Sequence, residues 1–267
     1  MTEPLILTGT VGGVLTLTLN RPASFNALSC AMLGAIKDAL TQAAADAKTR
    51  VIVLKGAGKA FCAGHDLKEM QAARTGNGVT DGGRAFFSAL FDQCAEVMQL
   101  IPTLPQPVIA EVHGIATAAG CQLVASCDMA IAAEGTRFGV NGVNIGLFCS
   151  TPMVALSRNV PRKVAFEMLT TGQFIDAERA AEVGLVNRVV PAAHLSDEVA
   201  ALAKQVAAKL NAAVRIGKRA FYDQIGLPLD AAYRHTGRVM VENMLWRDTD
   251  EGIAAFLDKR PPDWAAD

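Results

Sequence analysis

The sequence has few features that would support a membrane, disulfide or secreted role. Its 267 residues contain no apolar stretch near the roughly 20 residues that a membrane-spanning helix needs. The opening segment lacks the basic region of a secretory signal, and its apolar residues alternate as they do in a strand. The six cysteines form no C-x-x-C pair and have no histidine at ligand spacing. This pattern favours free, buried thiols in a reducing cytoplasm.

An excess of charge of either sign is also absent. The chain has 25 basic and 26 acidic residues, and they are scattered without long runs. A surface of this kind lacks the basic footprint that nucleic acid or an anionic membrane attracts. We therefore expect a small-molecule substrate, with neither nucleic acid nor a membrane as partner.

Several common catalytic motifs are missing. There is no G-x-S-x-G elbow and no H-E-x-x-H pair, and the glycines of "KGAGKAF" complete neither a P-loop nor a dinucleotide fingerprint. Neither tyrosine has a lysine four residues further on, which disfavours a short-chain dehydrogenase. The four histidines lie far apart in the sequence, so no metal site is predicted.

The hydrophobic pattern predicts an α/β core followed by a helical region. Half of the residues are apolar, which is enough for a sizeable core in one large domain or in one domain with a small appendage. Two early strands and three later strands alternate with helices, as in a parallel sheet. Helices predominate after about residue 150. The predicted strands are "LILTGT", "VLTLTL", "VIVLKG", "PVIAEVHG" and "MAIAAEGTRFG", and the first helix spans 29–47 with Ser29 as its N-cap.

Two loops rich in small residues follow two of the predicted buried strands. "GKAFCAGHDLKEM" (58–70) follows "VIVLKG", and "GIATAAGCQ" (114–122) follows "PVIAEVHG". Ligands of open parallel sheets bind beyond the carboxyl ends of the strands. Small residues let a ligand approach the backbone, although they also allow tight packing of a helix on a strand. Two such loops after adjacent strands favour a binding site.

Four collinear motifs resemble those of the crotonase superfamily, the enoyl-CoA hydratase/isomerase group. They are "RPASFNALS" (21–29), "AFCAGHDLKEM" (60–70), "GIATAAGCQLVASCDMAIAAEGTRFG" (114–139) and "FLDKRPPDW" (256–264). The resemblance implies a spiral of ββα repeats over residues 1–200 and a helical trimerisation region over 201–267. It also implies a homotrimer or a dimer of trimers, with a coenzyme A thioester as substrate and no covalently bound cofactor.

The resemblance also assigns an oxyanion hole. The backbone N–H groups of His65 and Ala119 are expected to stabilise negative charge on the thioester oxygen, and Ala119 stands at a helix start that favours anions. The imidazole of His65 is not required by this role, so it packs in the loop, faces solvent or transfers a proton. Asp128 matches a family position that we interpret as structural.

Coenzyme A contacts follow from the same motifs. Residues 27 and 28 resemble the segment that lines the pantetheine and nucleotide, and residues 63, 66 and 67 resemble the adenine-binding turn. Lys259 and Arg260, beside Phe256, are candidates for the CoA phosphates, although an ordinary solvated C-terminus fits them too. The predicted CoA-binding residues are Ala27, Leu28, Ala63, Asp66, Leu67, Phe256 and Lys259.

The sequence departs from the family where a hydratase needs its two carboxylates. The first position holds Gln122 and the second, in "FGVNGVNIG", holds Gly142. A carboxamide cannot take up a proton at neutral pH, and glycine has no side chain. Acid–base groups contribute roughly 10²–10⁴ each, so hydration should be weak. Gln122 then orients a substrate or water, or serves only as a polar residue in the first turn.

No other carboxylate replaces them in "LFCSTP" (147–152), where Cys149 is either a buried thiol or, less favoured, a covalent group. We therefore expect either an enzyme of another crotonase type, such as an isomerase or thioesterase, or a degenerate acyl-CoA binder or partner subunit.

Overall fold

The computed structural model describes residues 3–76 and 80–265. Within these ranges the strands are β1 Ile6–Val11, β2 Val14–Leu19, β3 Val51–Gly56, β4 Val108–Val112, β5 Ile115–Thr117, β6 Met129–Ala133, β7 Arg137–Gly139, β8 Ile175–Asp176 and β9 Arg188–Val190. The helices are α1 Cys30–Ala45, α2 Leu67–Thr75, α3 Arg84–Thr103, α4 Ala119–Ser126, α5 Pro152–Asn159, α6 Arg162–Thr171, α7 Ala177–Glu182, α8 Leu195–Ala207, α9 Asn211–Ile225, α10 Leu229–Met244 and α11 Arg247–Leu257.

The strands form two sheets. The larger sheet has the order β1-β2-β3-β4-β6-β9, with β1 antiparallel to β2 and every later pair parallel. The smaller sheet has the order β5-β7-β8. This architecture confirms the predicted α/β class and the mostly parallel sheet. Because β3 and β4 are parallel neighbours, the loops that follow them leave from the same edge.

The prediction of one strand over residues 129–139 is wrong. The structure has β6 in the larger sheet and β7 in the smaller one. Gly135, with φ +76°, lies in the turn between them, and the Thr136 N–H donates to the Ala133 carbonyl at 3.1 Å. A glycine adopts this left-handed conformation without steric cost, so the chain leaves the first sheet and pairs with β5.

Two apolar layers cover the larger sheet. The bigger layer lies between the sheet and helices that include α1, α3 and α4, and the smaller layer packs α8 against β3, β4 and β6. Both faces of β3 and β4 are therefore buried, which explains their nearly continuous apolar sequences. Ser29 caps α1 as predicted, since its side chain accepts from the Met32 N–H at 3.2 Å.

A buried ion pair joins the C-terminal helices to this core. Lys218 of α9 lies 2.6 Å from Asp128 and also donates to the carbonyls of Ile101 and Gln106. Asp128 further accepts from the Tyr222 hydroxyl at 2.8 Å and from the Val108 N–H at 2.6 Å. Burial lowers the pKa of Lys218, while the Asp128 carboxylate opposes that shift. These contacts give Asp128 the structural role expected from the sequence.

The division of the chain at residue 200 stays a prediction. The structure shows that residue 200 lies within α8, and that α8 packs on the sheet of the core. Helices α9, α10 and α11 follow it as a continuous helical segment.

Removal of one partner of the buried pair should destabilise the fold strongly. We expect Asp128→Ala to lower the free energy of unfolding by about 3–5 kcal/mol, because it leaves the Lys218 ammonium buried and uncompensated. Urea unfolding followed by circular dichroism measures this change.

The exposed pair Lys37–Glu96 offers a matched control, since both side chains are about half exposed. Glu96→Ala should leave the unfolding midpoint unchanged within error. Equal losses for both variants would mean that the contact between α9 and the core does not depend on the buried pair.

Candidate active site

The two small-residue loops are bound to each other through their backbones. The Phe61 N–H donates to the His113 carbonyl at 3.0 Å, and the Cys62 N–H donates to the Ile115 carbonyl at 3.1 Å. In return, the Thr117 N–H donates to the Cys62 carbonyl at 3.0 Å. The loop after β3 therefore runs alongside β5 and leads directly to the start of α4.

Two glycines allow this close approach. A Cβ on Gly120 would overlap the carbonyl oxygen of Cys62. A Cβ on Gly64, whose φ is +88°, would lie 2.9 Å from the Ala118 Cβ and 3.3 Å from the Ala119 nitrogen. Any side chain at either position would push the loops apart. The small residues therefore bring the segment of His65 against the first residue of α4.

Two backbone N–H groups are left unused where the loops meet. Within residues 3–76 and 80–265, no hydrogen bond has the N–H of His65 or Ala119 as its donor. Ala119 is fully buried and is the first residue of α4, where the helix dipole adds positive potential. Ala118 precedes it with φ +50° and ψ −118°, a conformation that costs energy for a residue with a Cβ. The arrangement has the chemistry of an anion site.

The imidazole of His65 is held between three elements. Its Nδ1 lies 3.3 Å from the Leu28 carbonyl oxygen, and its ring meets Phe91 of α3 edge-on with centroids 5.6 Å apart. Its Nε2 is buried and has no hydrogen-bond partner among the described residues. Burial lowers the pKa of His65, although the Leu28 carbonyl and Glu69 act in the opposite direction. The ring is therefore neutral at pH 7.

Gln122 lies in the first turn of α4 and is 4% exposed. Its Oε1 is buried and also lacks a partner within the described part of the chain. Unpaired buried polar atoms are costly, commonly by about 1–3 kcal/mol, and native proteins keep few of them. Gln122 therefore places an unpaired acceptor atom in the first turn of α4, three residues after Ala119.

The space beside Gly142 is filled by the segment that follows it. A Cβ on Gly142 would overlap the Leu147 carbonyl oxygen and would lie 2.8 Å from the Cys149 Sγ. The Leu147 N–H donates back to the Gly142 carbonyl at 2.9 Å, which holds the turn closed. A glutamate therefore cannot be placed at position 142 without movement of this turn.

Cys149 behaves as a buried thiol. It is 6% exposed, and burial raises its pKa, although a hydrogen bond from the Gly142 backbone acts in the opposite direction. Cys121, in α4, is fully buried, with its pKa raised by burial to about 12. A nucleophilic role requires the thiolate, so these surroundings do not favour a covalent role for Cys149.

The predicted CoA segments near the loops lie together. The Leu28 N–H donates to the Gly64 carbonyl at 2.8 Å, and the Ala63 N–H donates to the Phe25 carbonyl at 3.0 Å. Ala27 adjoins this contact in the chain, and Leu67 is 56% exposed at the start of α2. The carboxylate of Asp66 caps α2 by accepting from the N–H groups of residues 68 and 69. Its side chain is therefore engaged, and the adenine contacts expected here are backbone contacts.

Sequence reasoning missed the residue that joins these segments. Asn26 is fully buried with φ +55°, and its Nδ2 donates to the carbonyls of Ala57, Ala60 and Phe61 at 2.8–3.2 Å. Its Oδ1 accepts from the Arg21 N–H at 2.9 Å. An asparagine tolerates the left-handed conformation better than most residues, and its position in "SFNAL" is the signal that could have identified it.

Phe256 is the penultimate residue of α11, and Lys259 follows the end of that helix. Phe256 is 83% exposed and borders a cleft formed with α9 and α10. Among the described residues Lys259 has no ion pair, whereas Arg260 binds Glu251 through two nitrogens and holds the pKa of that carboxylate to about 2. The CoA roles of Phe256 and Lys259 stay predictions.

Within the described ranges, no group of three histidine, cysteine, aspartate or glutamate side chains is arranged to hold a metal ion. The same residues include no helix long and apolar enough to cross a bilayer.

The fold and the two joined loops define a crotonase-type α/β protein in which the N–H of Ala119 stands at the start of a buried helix. The family model described as Enoyl-CoA hydratase/isomerase matches residues 9–267. The chain therefore belongs to the enoyl-CoA hydratase/isomerase family, as its motifs predicted.

Individual relatives are similar over nearly the whole chain. An enoyl-CoA hydratase structure from Mycobacterium smegmatis is 54% identical, with a TM-score of 0.93, and the match covers 98% of this chain and 99% of that one. The structure of human enoyl coenzyme A hydratase domain-containing protein 3 is 44% identical, with a TM-score of 0.92. The match covers 98% of this chain and 100% of the human chain. The Xenopus laevis protein of that name is 45% identical over 261 residues, which cover 98% of this chain and 86% of that protein.

The expected cytoplasmic location is contradicted by these relatives. Five vertebrate relatives that are 44–45% identical carry the word mitochondrial in their names. The expectation depended on free cysteines, and a free thiol indicates only that its surroundings are reducing. It does not distinguish the cytosol from the reducing interior of an organelle.

A methyl group at position 142 should destabilise the protein. We expect Gly142→Ala to lower the free energy of unfolding by about 1–3 kcal/mol, because the added Cβ overlaps the Leu147 carbonyl and forces the turn to move. Chemical denaturation of the purified variant measures the loss.

Gly217→Ala is the control, since a Cβ on Gly217 in α9 meets nothing within 4 Å. It should not lose stability, because alanine favours a helix. An unchanged midpoint for Gly142→Ala would show that the turn at 147–149 moves at little cost.

Proposed function

We propose that this protein binds acyl-CoA thioesters and polarises the thioester carbonyl with the backbone N–H groups of His65 and Ala119. It acts as a lyase- or isomerase-type enzyme of its family, and its turnover as a hydratase is weak. The observation that carries the proposal is the pair of unused amides brought together by Gly64 at the start of α4.

The physical support for an oxyanion hole is the preorganisation of these donors. Both amides belong to backbone that is held by hydrogen bonds on either side, so they need no rearrangement when charge develops on an oxygen. Donors of this kind in a water-poor site commonly contribute on the order of 10²–10³ each to the rate. The buried N-terminus of α4 strengthens them because its dipole favours negative charge.

Coenzyme A binding is supported by family membership and by the way the chain joins its segments. The loop around Asn26 places Ala27 and Leu28 beside Gly64 and His65, and Ala63, Asp66 and Leu67 flank these two residues in the chain. In our proposal this surface holds the pantetheine and the adenine. In the same proposal, Phe256 and Lys259, at the end of α11, reach the phosphates of a site in a neighbouring subunit.

Weak hydration follows from the side chains around the amides. Activation of water requires a group that accepts a proton, and neither a carboxamide nor a glycine does so. The neutral Gln122 can hold the substrate or a water by hydrogen bonds. The turn that covers Gly142 excludes a carboxylate from the second position.

We also propose that the protein is a homotrimer or a dimer of trimers. The C-terminal helices expose several large apolar side chains that would be unusual on a monomer. Those exposed by more than 70% are Leu229, Tyr233, Leu245, Phe256 and Leu257.

Crotonyl-CoA labelled with ¹³C at the carbonyl tests the main proposal. We expect saturable binding and a lowered carbonyl stretching frequency in infrared difference spectra, because two N–H donors polarise the bound carbonyl. The rate of hydration, measured by the loss of enoyl absorbance, should be at least about 100-fold lower than in a hydratase that has both acids. Gln122→Glu should raise the hydration rate by about 10²-fold or more, since it supplies one acid–base group.

Gln99→Glu is the matched control, because Gln99 lies exposed on α3. This variant should change neither the carbonyl stretching frequency of the bound thioester nor the hydration rate. Hydration by the native protein at ordinary enzyme rates would contradict our interpretation of Gln122 and Gly142. An unshifted carbonyl in the bound thioester would contradict the oxyanion hole.

Light scattering after size exclusion should give a mass of three or six chains. Burial of the apolar side chains of α10 and α11 between subunits is the physical reason. A monomer at micromolar concentration would contradict the oligomer, and with it the placement of Phe256 at a neighbouring site.

A further inference from the structure

The imidazole of His65 is the feature of this site that the oxyanion role leaves unexplained. That role uses only the backbone N–H of the residue, and any side chain could accompany it. The chain nevertheless buries a ring nitrogen there without a partner, which normally costs about 1–3 kcal/mol. Such an atom suggests a group whose partner arrives with the substrate.

The hydrogen bond at Nδ1 determines what the other nitrogen can do. A carbonyl oxygen accepts only, so the contact with Leu28 at 3.3 Å places the proton of the neutral ring on Nδ1. The Nε2 then carries a free lone pair and is an acceptor. The edge-on contact with Phe91 limits rotation of the ring away from this position.

Buried side-chain atoms without a hydrogen-bond partner are few. The described residues contain four such nitrogen or oxygen atoms, on His65, Gln106, Gln122 and His235. Two of the four belong to the pair of loops that carries the oxyanion amides. Of these two, only the imidazole can take up a proton near neutral pH.

We propose that His65 is the proton acceptor of this enzyme, with its Nε2 removing a proton from the α carbon of the bound thioester. The proposal rests on the proposed function, because the same residue is assigned to bind the thioester oxygen through its backbone. A base for the α carbon has to stand near the oxyanion donors, since the α carbon is bonded to the carbonyl carbon.

The step is balanced without a further reactant. The α C–H bond breaks, and its proton forms a bond to Nε2. The electron pair of that bond forms the C=C bond of an enolate, while the carbonyl π pair moves to the oxygen that faces the N–H groups of His65 and Ala119. The imidazolium then returns a proton to the α carbon or to the γ carbon of an enoyl chain, or exchanges it with solvent.

The electrostatic surroundings suit this role. Glu69 of α2 is the charged group that acts on the ring, and its carboxylate accepts from the Cys30 N–H at 3.0 Å. Leu28 contributes a neutral carbonyl and α3 contributes a neutral phenyl ring. The carboxylate stabilises an imidazolium as it forms, while burial keeps the resting ring neutral.

Exchange of the α protons of butyryl-CoA in D₂O, followed by ¹H NMR, tests the proposal. A saturated acyl chain is used because it cannot be hydrated, so the signal reports enolate formation alone. We expect the native protein to catalyse exchange and both His65→Ala and His65→Gln to lose at least 100-fold in exchange rate. Binding of butyryl-CoA should change less than threefold, since both variants retain the backbone N–H.

The pH dependence supplies a second readout. Exchange by the native protein should rise with pH and level off below neutrality, because the neutral ring is the active form and its pKa is lowered. The residual exchange in His65→Ala should not show this rise and levelling with pH. His194→Ala, which removes an exposed imidazole before α8, should match the native protein in both measurements.

Each outcome decides a different point. Binding without exchange by the native protein, or undiminished exchange in His65→Ala, overturns the role of the imidazole but leaves thioester binding intact. Absence of binding to the native protein overturns the proposed function, and the role of His65 with it. Loss of exchange and of binding together in His65→Ala shows a binding role and also overturns the proposal.

Discussion

The site depends on the direct contact between two stretches of backbone with almost no side chain between them. Gly64 lies against the start of α4, and Gly120 lies against the carbonyl of Cys62. This contact joins the loop after β3 to the loop after β4, and it brings the segment of His65 against the first residue of α4. The parallel pairing of β3 and β4 brings the two loops to the same edge of the sheet, and Gly64 and Gly120 allow their backbones to come into direct contact.

The two loops bury polar atoms of two side chains, the Oε1 of Gln122 and the Nε2 of His65. A carboxylate at either position would have to be desolvated, whereas the carboxamide of Gln122 and the imidazole of His65 are buried at a lower cost. The turn that presses the Leu147 carbonyl against Gly142 also belongs to this arrangement, because it occupies the volume of the side chain that is absent.

Much of the fold could be predicted because its signals are local. Ser29 caps a helix, the apolar runs that begin at Val51 and Pro107 form parallel neighbours, and small residues follow each of them. The split between β6 and β7 was not predicted, because continuous β-type sequence on both sides of Gly135 does not reveal which sheet each half joins. Pairing between strands is a long-range property, and a single turn residue decided it here.

The sequence by itself determined the family and the positions of the two loops, since these follow from periodicity, turn residues and four collinear motifs. Only the tertiary structure decided that Asn26 ties the segments together, that the space at Gly142 is filled, and that Nε2 of His65 has no hydrogen-bond partner among the described residues. The reason is physical: hydrogen-bond partners and steric overlap depend on atoms that are distant in sequence and become neighbours only when the chain packs.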